Sequence, residues 1–247
     1  MKKAIIVFLM SIMCFGMFAT GPRTDEITYL TQKSLKNYEK VNYAGNHYYE
    51  LTEGNYSVTE DLFLDYPIQI NAPYGSVKLY ADLSVTIRCS LKFDNSFNNA
   101  MIIVPMGNST LILGGGMSQL TIVGLNQKLM YVIMSSSNLV LQKNVTITQS
   151  KVQYGAIYIG AGTTLIDGGV IKNNISDYMC SGIFITGGTL KITSGTISNN
   201  HVSGVNEGAS IHNIRDGYNV TVDLPGDVTV ERGNVFKGNI LDGVIHY

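Results

Sequence analysis

The sequence predicts an all-β fold, a right-handed parallel β-helix of about seven or eight coils. Three observations predict it. "GAIYIGAGTTLIDGGVIKNN" (155–174) is followed almost at once by "GIFITGGTLKITSGTISNN" (182–200), a near-repeat at an offset of 25 to 27 residues. Each copy carries short apolar strands parted by Gly, Thr, Ser or Asn, and lacks the 3.6-residue periodicity of a helical repeat. The composition favours strands: Val, Ile, Thr and 15 Tyr are prominent, with 26 Gly, 5 Pro and no Trp.

Stacking explains why a chain repeats itself at this period. Each strand lies on its counterpart one coil away, about 4.8 Å along the axis, so identical residues form columns. The alignment pairs Gly155 with Gly182, Leu165 with Leu190, Gly169 with Gly195, Ile171 with Ile197, Asn173 with Asn199 and Asn174 with Asn200. It predicts Ile157, Leu165 and Ile171 as inward residues, Gly168, Gly169 and Gly195 at a sharp corner, and Asn173 and Asn199 as an internal amide ladder. A third copy opens at Gly208-Ala209-Ser210-Ile211, and weaker copies occupy 101–124 and 130–150. The competing fold is a β-sandwich with chance repetition.

The flanks follow in order. Residues 1–20, "MKKAIIVFLMSIMCFGMFAT", place Lys2 and Lys3 before the apolar run Ala4 to Phe18, the pattern of a secretory signal peptide. Ala19 suits the last leader residue and Met17 suits its position badly. An uncleaved anchor and a lipoprotein leader through Cys14 are the weaker alternatives. Residues 21–47 form an N-terminal cap or linker, with Ile27, Leu30, Leu35 and Tyr38 at helical spacing behind Thr24-Asp25-Glu26. A short capping helix there would shield the first coil's edge. Residues 48–247 form the β-helix, opening with strands around Tyr56–Val58, Leu62–Leu64, Ile68–Ile70, Val77–Leu79 and Val85–Ile87. The C-terminal "ILDGVIHY" shows no corresponding cap. Of the cysteines outside the leader, Cys89 and Cys180 are expected to be buried and unbridged.

At these residues the chain resembles the polymorphic outer membrane protein repeat of bacterial autotransporters and related surface proteins. That repeat carries GGA-[ILV] and FxxN tetrapeptides. Gly155-Ala156-Ile157 matches after Tyr154, Gly208-Ala209 is followed by Ser210, and Phe236-Lys237-Gly238-Asn239 is a full FxxN. Ile171 to Asn174 and Ile197 to Asn200 are conservative versions. The resemblance covers about residues 150–240 and implies a secreted or surface-displayed, often adhesive, protein. The chain departs from it in lacking a C-terminal translocator barrel, so self-translocation is not expected.

Function is harder to read. Net charge is −1 and charged residues are 14% of the chain, which leaves no basic field for nucleic acid. No membrane span is expected once the leader is removed, and no cofactor or metal site is expected. Parallel β-helices also host pectate lyases and polysaccharide hydrolases, whose chemistry needs paired carboxylates. Asp167, Asp177, Glu207, Asp216, Asp223 and Asp227 form no such pair in sequence. The nearest constellation is "HNIRDG", with His212, Arg215 and Asp216, which reads either as acid, base and anchor or as an exposed loop. His47, His201 and His246 are isolated. Nine tyrosines fall within residues 29–80, and Tyr48, Tyr49, Tyr56, Tyr66 and Tyr74 are candidates for a stacking surface. The alternative is that several pack at the cap and sheet edges. Sequons stand at Asn55, Asn108, Asn144, Asn174 and Asn219. The expectation is a secreted or surface β-helix that binds a glycan or protein without catalysis, with a β-helix polysaccharide lyase or hydrolase as the alternative.

Overall fold

In the computed structural model, the described residues are 26–90, 93, 100–124, 129–178, 180–203, 211–213, 221–223, 235–236, 239–241 and 244–246. The leader 1–20, Thr24 and Asp25, Gly208–Ser210, Arg215, Asp216 and the Asn219 sequon lie outside them.

The described chain is a parallel β-solenoid of about six turns, close to the number expected. Three strand faces recur. Face A runs through Ile27–Leu30, Gly54–Val58, Ser76–Ala81, Thr110–Leu113, Asn138–Gln142 and the first halves of Thr163–Lys172 and Thr189–Ser198. Face B runs through Leu62–Leu64, Val85–Cys89, Leu120–Val123, Val145–Thr148 and the second halves of the same two long strands. Face C runs through His47–Thr52, Ile68–Asn71, Ala100–Val104, Tyr131–Ser135, Gly155–Ile159, Ile183–Ile185 and Ile211–Asn213. The expected pairing of the two opening segments holds: Ile157, Tyr158 and Ile159 stand parallel and in register with Ile183, Phe184 and Ile185.

Alternation along each strand sends every second residue inward. The result includes an apolar column on each face. Tyr56, Leu79, Leu113, Leu141, Ile166 and Ile192 stack on face A, and Leu62, Ile87, Ile122, Ile147, Ile171 and Ile197 on face B. Ile68, Ile102, Ile133, Ile157, Ile183 and Ile211 stack on face C. All are buried. Truncating one such Ile to Ala typically costs about 2–5 kcal/mol, because its neighbours above and below cannot collapse into the gap.

Two predicted positions move by one residue. Thr164, not Leu165, lies opposite Leu190, so Thr164 and Ile166 point inward while Leu165 pairs with Lys191 on the outer side. The true offset there is 26, and a slip of one reverses every side chain. The amide ladder likewise belongs to Asn174 and Asn200, not to Asn173 and Asn199. Asn173 (φ 56°) and Asn199 (φ 53°) take the left-handed conformation, which Asn tolerates, and turn the corner from face B into a short third sheet of Lys151–Val152, Ile175–Ser176 and His201–Val202. Their successors then point inside. The Asn174 amide donates to Asn200 Oδ1 (2.9 Å) and to the Ile147 carbonyl (3.1 Å), and its oxygen accepts the Ser150 N–H (3.1 Å). Asn200 donates to the Ile171 carbonyl (3.0 Å), and Ser150 Oγ accepts the Gly124 N–H (2.9 Å). The ladder thus spans four coils through Gly124, Ser150, Asn174 and Asn200. The face A to face B corner is made by Gly168 (φ 95°) and Gly195 (φ 114°), as expected, whereas Gly169 does not need a positive φ.

Both ends are closed differently from expectation. Ile27–Leu30 is a strand parallel to Gly54–Val58, and the helix is confined to Gln32–Leu35, capped by Thr31 Oγ1 accepting the Ser34 N–H (3.0 Å). The β-branched and aromatic run Ile-Thr-Tyr-Leu prefers the sheet, and only Leu35 of the helix plugs the core. Gln32 caps the first strand of face B with its side-chain amide, accepting the Phe63 N–H (2.7 Å) and donating to the Phe63 carbonyl (3.0 Å). At the other end, Asn239–Leu241 pairs antiparallel with Thr196–Ile197 and forms a hairpin with Val244–His246. Val235–Phe236 pairs antiparallel with Ile211–His212. Asn239–Leu241 and Val244–His246 therefore contribute a cap, because an antiparallel strand occupies the edge where a further coil would stack. Cys89 and Cys180 form no disulfide among the described residues; Cys180 is fully buried and Cys89 half-buried. Among the described residues no helix is long and apolar enough to cross a membrane.

Candidate functional surfaces

The N-terminal tyrosines do not form one platform. Tyr49 and Tyr56 are 2% and 4% exposed and face the core, because they share the inward parity of Leu51 and Val58. Burial, and then the charges of Asp65 and Glu39, push the Tyr49 phenol up to about 12. Tyr56 lies edge-on to Tyr38, 5.9 Å between centroids, and its hydroxyl donates to the Thr52 carbonyl (3.0 Å). Tyr66 is half-buried between His47 (4.8 Å) and Tyr49 (5.7 Å), Tyr48 is half-buried, and Tyr74 is 91% exposed. His212 lies on the strand beside Phe184 by backbone register, while Arg215 and Asp216 are outside the described residues.

Ion pairs among the described residues are His47 with Glu39 (2.7 Å) and Arg88 with Asp61 (3.2 Å). Both are at the surface, where such pairs contribute little. Among the described residues, no three His, Cys, Asp or Glu side chains come together as metal ligands.

The outer sides of faces B and C carry two ordered features. On face C, the register aligns Ile103, Met134, Tyr158 and Phe184 outward on successive coils. Tyr131, Tyr154 and Tyr178 join them in a five-ring cluster with Tyr158 and Phe184. Tyr131 lies 4.8 Å from Tyr158 and 6.2 Å from Phe184, and Tyr154 lies 5.3 Å from Tyr178. The rings lean within 24–34° of one another, so their faces are spent on each other, and Tyr131 and Phe184 are 7% and 5% exposed. The Tyr158 hydroxyl meets Thr186 Oγ1 at 2.7 Å. Burial, followed by Tyr158, holds the Tyr131 phenol above its ordinary range. This ridge braces the coils; Tyr178, 56% exposed, is its open end.

On face B the outward column is Thr86, Thr121, Thr146, Val170 and Thr196, in register on five successive coils. Each lies between inward neighbours, as Thr121 does between Leu120 and Ile122. The column places a methyl group at each position at a repeat of about 4.8 Å, with part-exposed hydroxyls at Thr86, Thr121 and Thr196, while Thr146 is only 9% exposed. Thr146 Oγ1 accepts a bond from Gln119 Nε2 (3.1 Å). The column holds no titratable group, and its chemistry is repeated neutral hydrogen bonding and apolar contact.

Sequence reasoning missed both features, yet each left a signal. The aromatic in mid-strand repeats between "AIYI" and "GIFI", and the Thr-Ile pair repeats in "LTIV", "VTIT" and "GTIS". Comparison with protein-family models, with curated protein sequences and with solved structures finds no match for this chain.

Proposed function

We propose that this is a non-catalytic binding or adhesive solenoid, exported and held outside the cell, that lays an extended glycan or protein chain along face B. The observation that carries the reading is the threonine column. A ligand built from repeating units meets a methyl along the column and a hydroxyl at Thr86, Thr121 and Thr196, over about 19 Å from first to last, so individually weak contacts act together. The solenoid supplies the rigidity: each threonine sits on a strand whose other side is packed into the core, and little side-chain freedom is lost on contact. The leader-like N-terminus and the resemblance to the polymorphic outer membrane protein repeat support display outside the cell.

The test is a glycan array and a set of insoluble polysaccharides probed with the purified chain, alongside an assay for new reducing ends or unsaturated products. Binding without product formation is expected. Thr121→Lys together with Thr196→Lys should weaken it at least tenfold, whereas Thr189→Lys on face A should not. Product formation abolished by His212→Ala would replace this reading with the lyase or hydrolase one.

A further inference from the structure

We propose that Asn108 is an acceptor for an N-linked glycan, and that the solenoid tolerates a glycan there but not at Asn174. The proposal rests on the reading of the chain as exported. Five sequons are equivalent as sequence, and the fold separates the four whose asparagines are described. Asn174 is fully buried and its amide makes the ladder bonds to Asn200, Ile147 and Ser150, so a sugar on Nδ2 would break the stack. Asn144 sits at a left-handed corner (φ 63°) with its amide donating to the Gly116 carbonyl (2.8 Å), and its sequon threonine, Thr146, is 9% exposed. Asn55 is half-buried within Gly54–Val58, and its sequon serine, Ser57, is 1% exposed and donates to Asp82 (3.3 Å).

Asn108 differs on each count. It lies on the turn joining Ala100–Val104 of face C to Thr110–Leu113 of face A. It is exposed, beside Met106 at 84% exposure, and its amide holds no hydrogen bond among the described residues. A Cβ placed on the adjoining Gly107 would meet nothing within 4 Å, so the space around the turn is open. The turn is nevertheless anchored: Ser109 Oγ accepts the Ala72 N–H (3.3 Å), and its carbonyl accepts Ser137 Oγ (2.7 Å). A glycan there would stand at the corner between faces C and A, leaving face B clear. In the transfer, Asn108 Nδ2 displaces the diphosphate of a polyprenyl-diphosphate-linked oligosaccharide. The bond from nitrogen to the sugar C1 forms, the C1–O bond to phosphate breaks, and one amide proton leaves to a base of the transferase.

The experiment secretes the chain from a eukaryotic cell with N-glycosylation, once behind its own N-terminus and once behind a supplied leader. Intact mass and site mapping are compared before and after peptide-N-glycosidase treatment. Under the supplied leader a glycan on Asn108 is expected, and Asn108→Gln or Thr110→Val should each lose one glycan-sized mass step while secretion continues. An unmodified Asn108 in secreted protein, or a glycan mapped to Asn174 in folded protein, overturns the proposal. Glycosylation under the supplied leader alone counts against the chain's own leader and leaves the Asn108 assignment standing.

Discussion

Replacing Asn174 by Leu should be far more damaging than replacing its neighbour Asn199. The Asn174 side chain accepts the Ser150 N–H and donates to the Ile147 carbonyl, both within the buried corner stack. Leucine fills a similar volume but leaves both backbone groups unpaired and shut away from water. Each such group costs about 1–3 kcal/mol, so the substitution should cost about 2–6 kcal/mol. For a chain of this length that is a fall in Tm on the order of 10 °C. Asn199 has φ 53°, and leucine there costs about 1–2 kcal/mol for the left-handed backbone. Asn199→Gly should avoid that strain and melt above Asn199→Leu. Thermal melts followed by far-ultraviolet circular dichroism compare the three variants. If Asn199→Leu melts well below Asn174→Leu, the assignment of corner and ladder between these adjacent asparagines is wrong.

Thr164 faces the core with no exposure, and its hydroxyl has no partner among the described residues. Thr164→Val should therefore raise stability by about 1 kcal/mol, read as a higher urea midpoint; a lower midpoint would show that the hydroxyl is bonded. Gly195→Ala should cost about 1–3 kcal/mol, because φ is 114° and the new Cβ would run into the Gly169 carbonyl oxygen. Alkaline pH should also destabilise the fold. Burial lifts the Tyr49 phenol from 10.0, and the Cys89 thiol from 9.0, each to about 12. Between the unfolded and folded values the unfolded chain has released these protons and the folded chain has not. Their contribution is thus complete below about pH 9 and is lost as pH climbs towards 12. Tm should fall through that window, and Tyr49→Phe should flatten the fall; an unchanged slope would show that Tyr49 ionises normally.

The architecture was legible because stacking forces repetition. Ile157 and Ile183, or Ile171 and Ile197, recur at a fixed offset since each must fill the space above its counterpart. Register to the single residue was not legible. Leu165 and Leu190 look equivalent as letters, and only the pleat reveals that Thr164 is the inward partner. Adjacent asparagines posed the same problem, because turning a corner and filling a ladder both favour Asn. The first strand was missed because Ile27, Leu30, Leu35 and Tyr38 fit a helix, while the pairing of Ile27–Leu30 with the next coil is a tertiary contact that local spacing does not encode. The N-terminal tyrosines were too numerous to sort by sequence: Tyr49 and Tyr56 are core residues, whereas Tyr74 is exposed, and only parity within each strand separates them. The threonine column was legible in principle, but only after the strands are laid in register.

Disulfide trapping across neighbouring coils tests the stacked register most directly. Leu165 and Lys191 are in-register partners on the outer side of face A, while Leu190 points into the core. Side-by-side parallel positions lie about 4.8 Å apart, within the range that a disulfide spans. With Cys89 and Cys180 replaced by Ser, the Leu165→Cys/Lys191→Cys protein should oxidise rapidly to an intramolecular disulfide under native conditions. The Leu165→Cys/Leu190→Cys protein should remain reduced. The reverse result, or bridging in neither protein, would contradict a solenoid whose coils stack at an offset of 26 residues at this position.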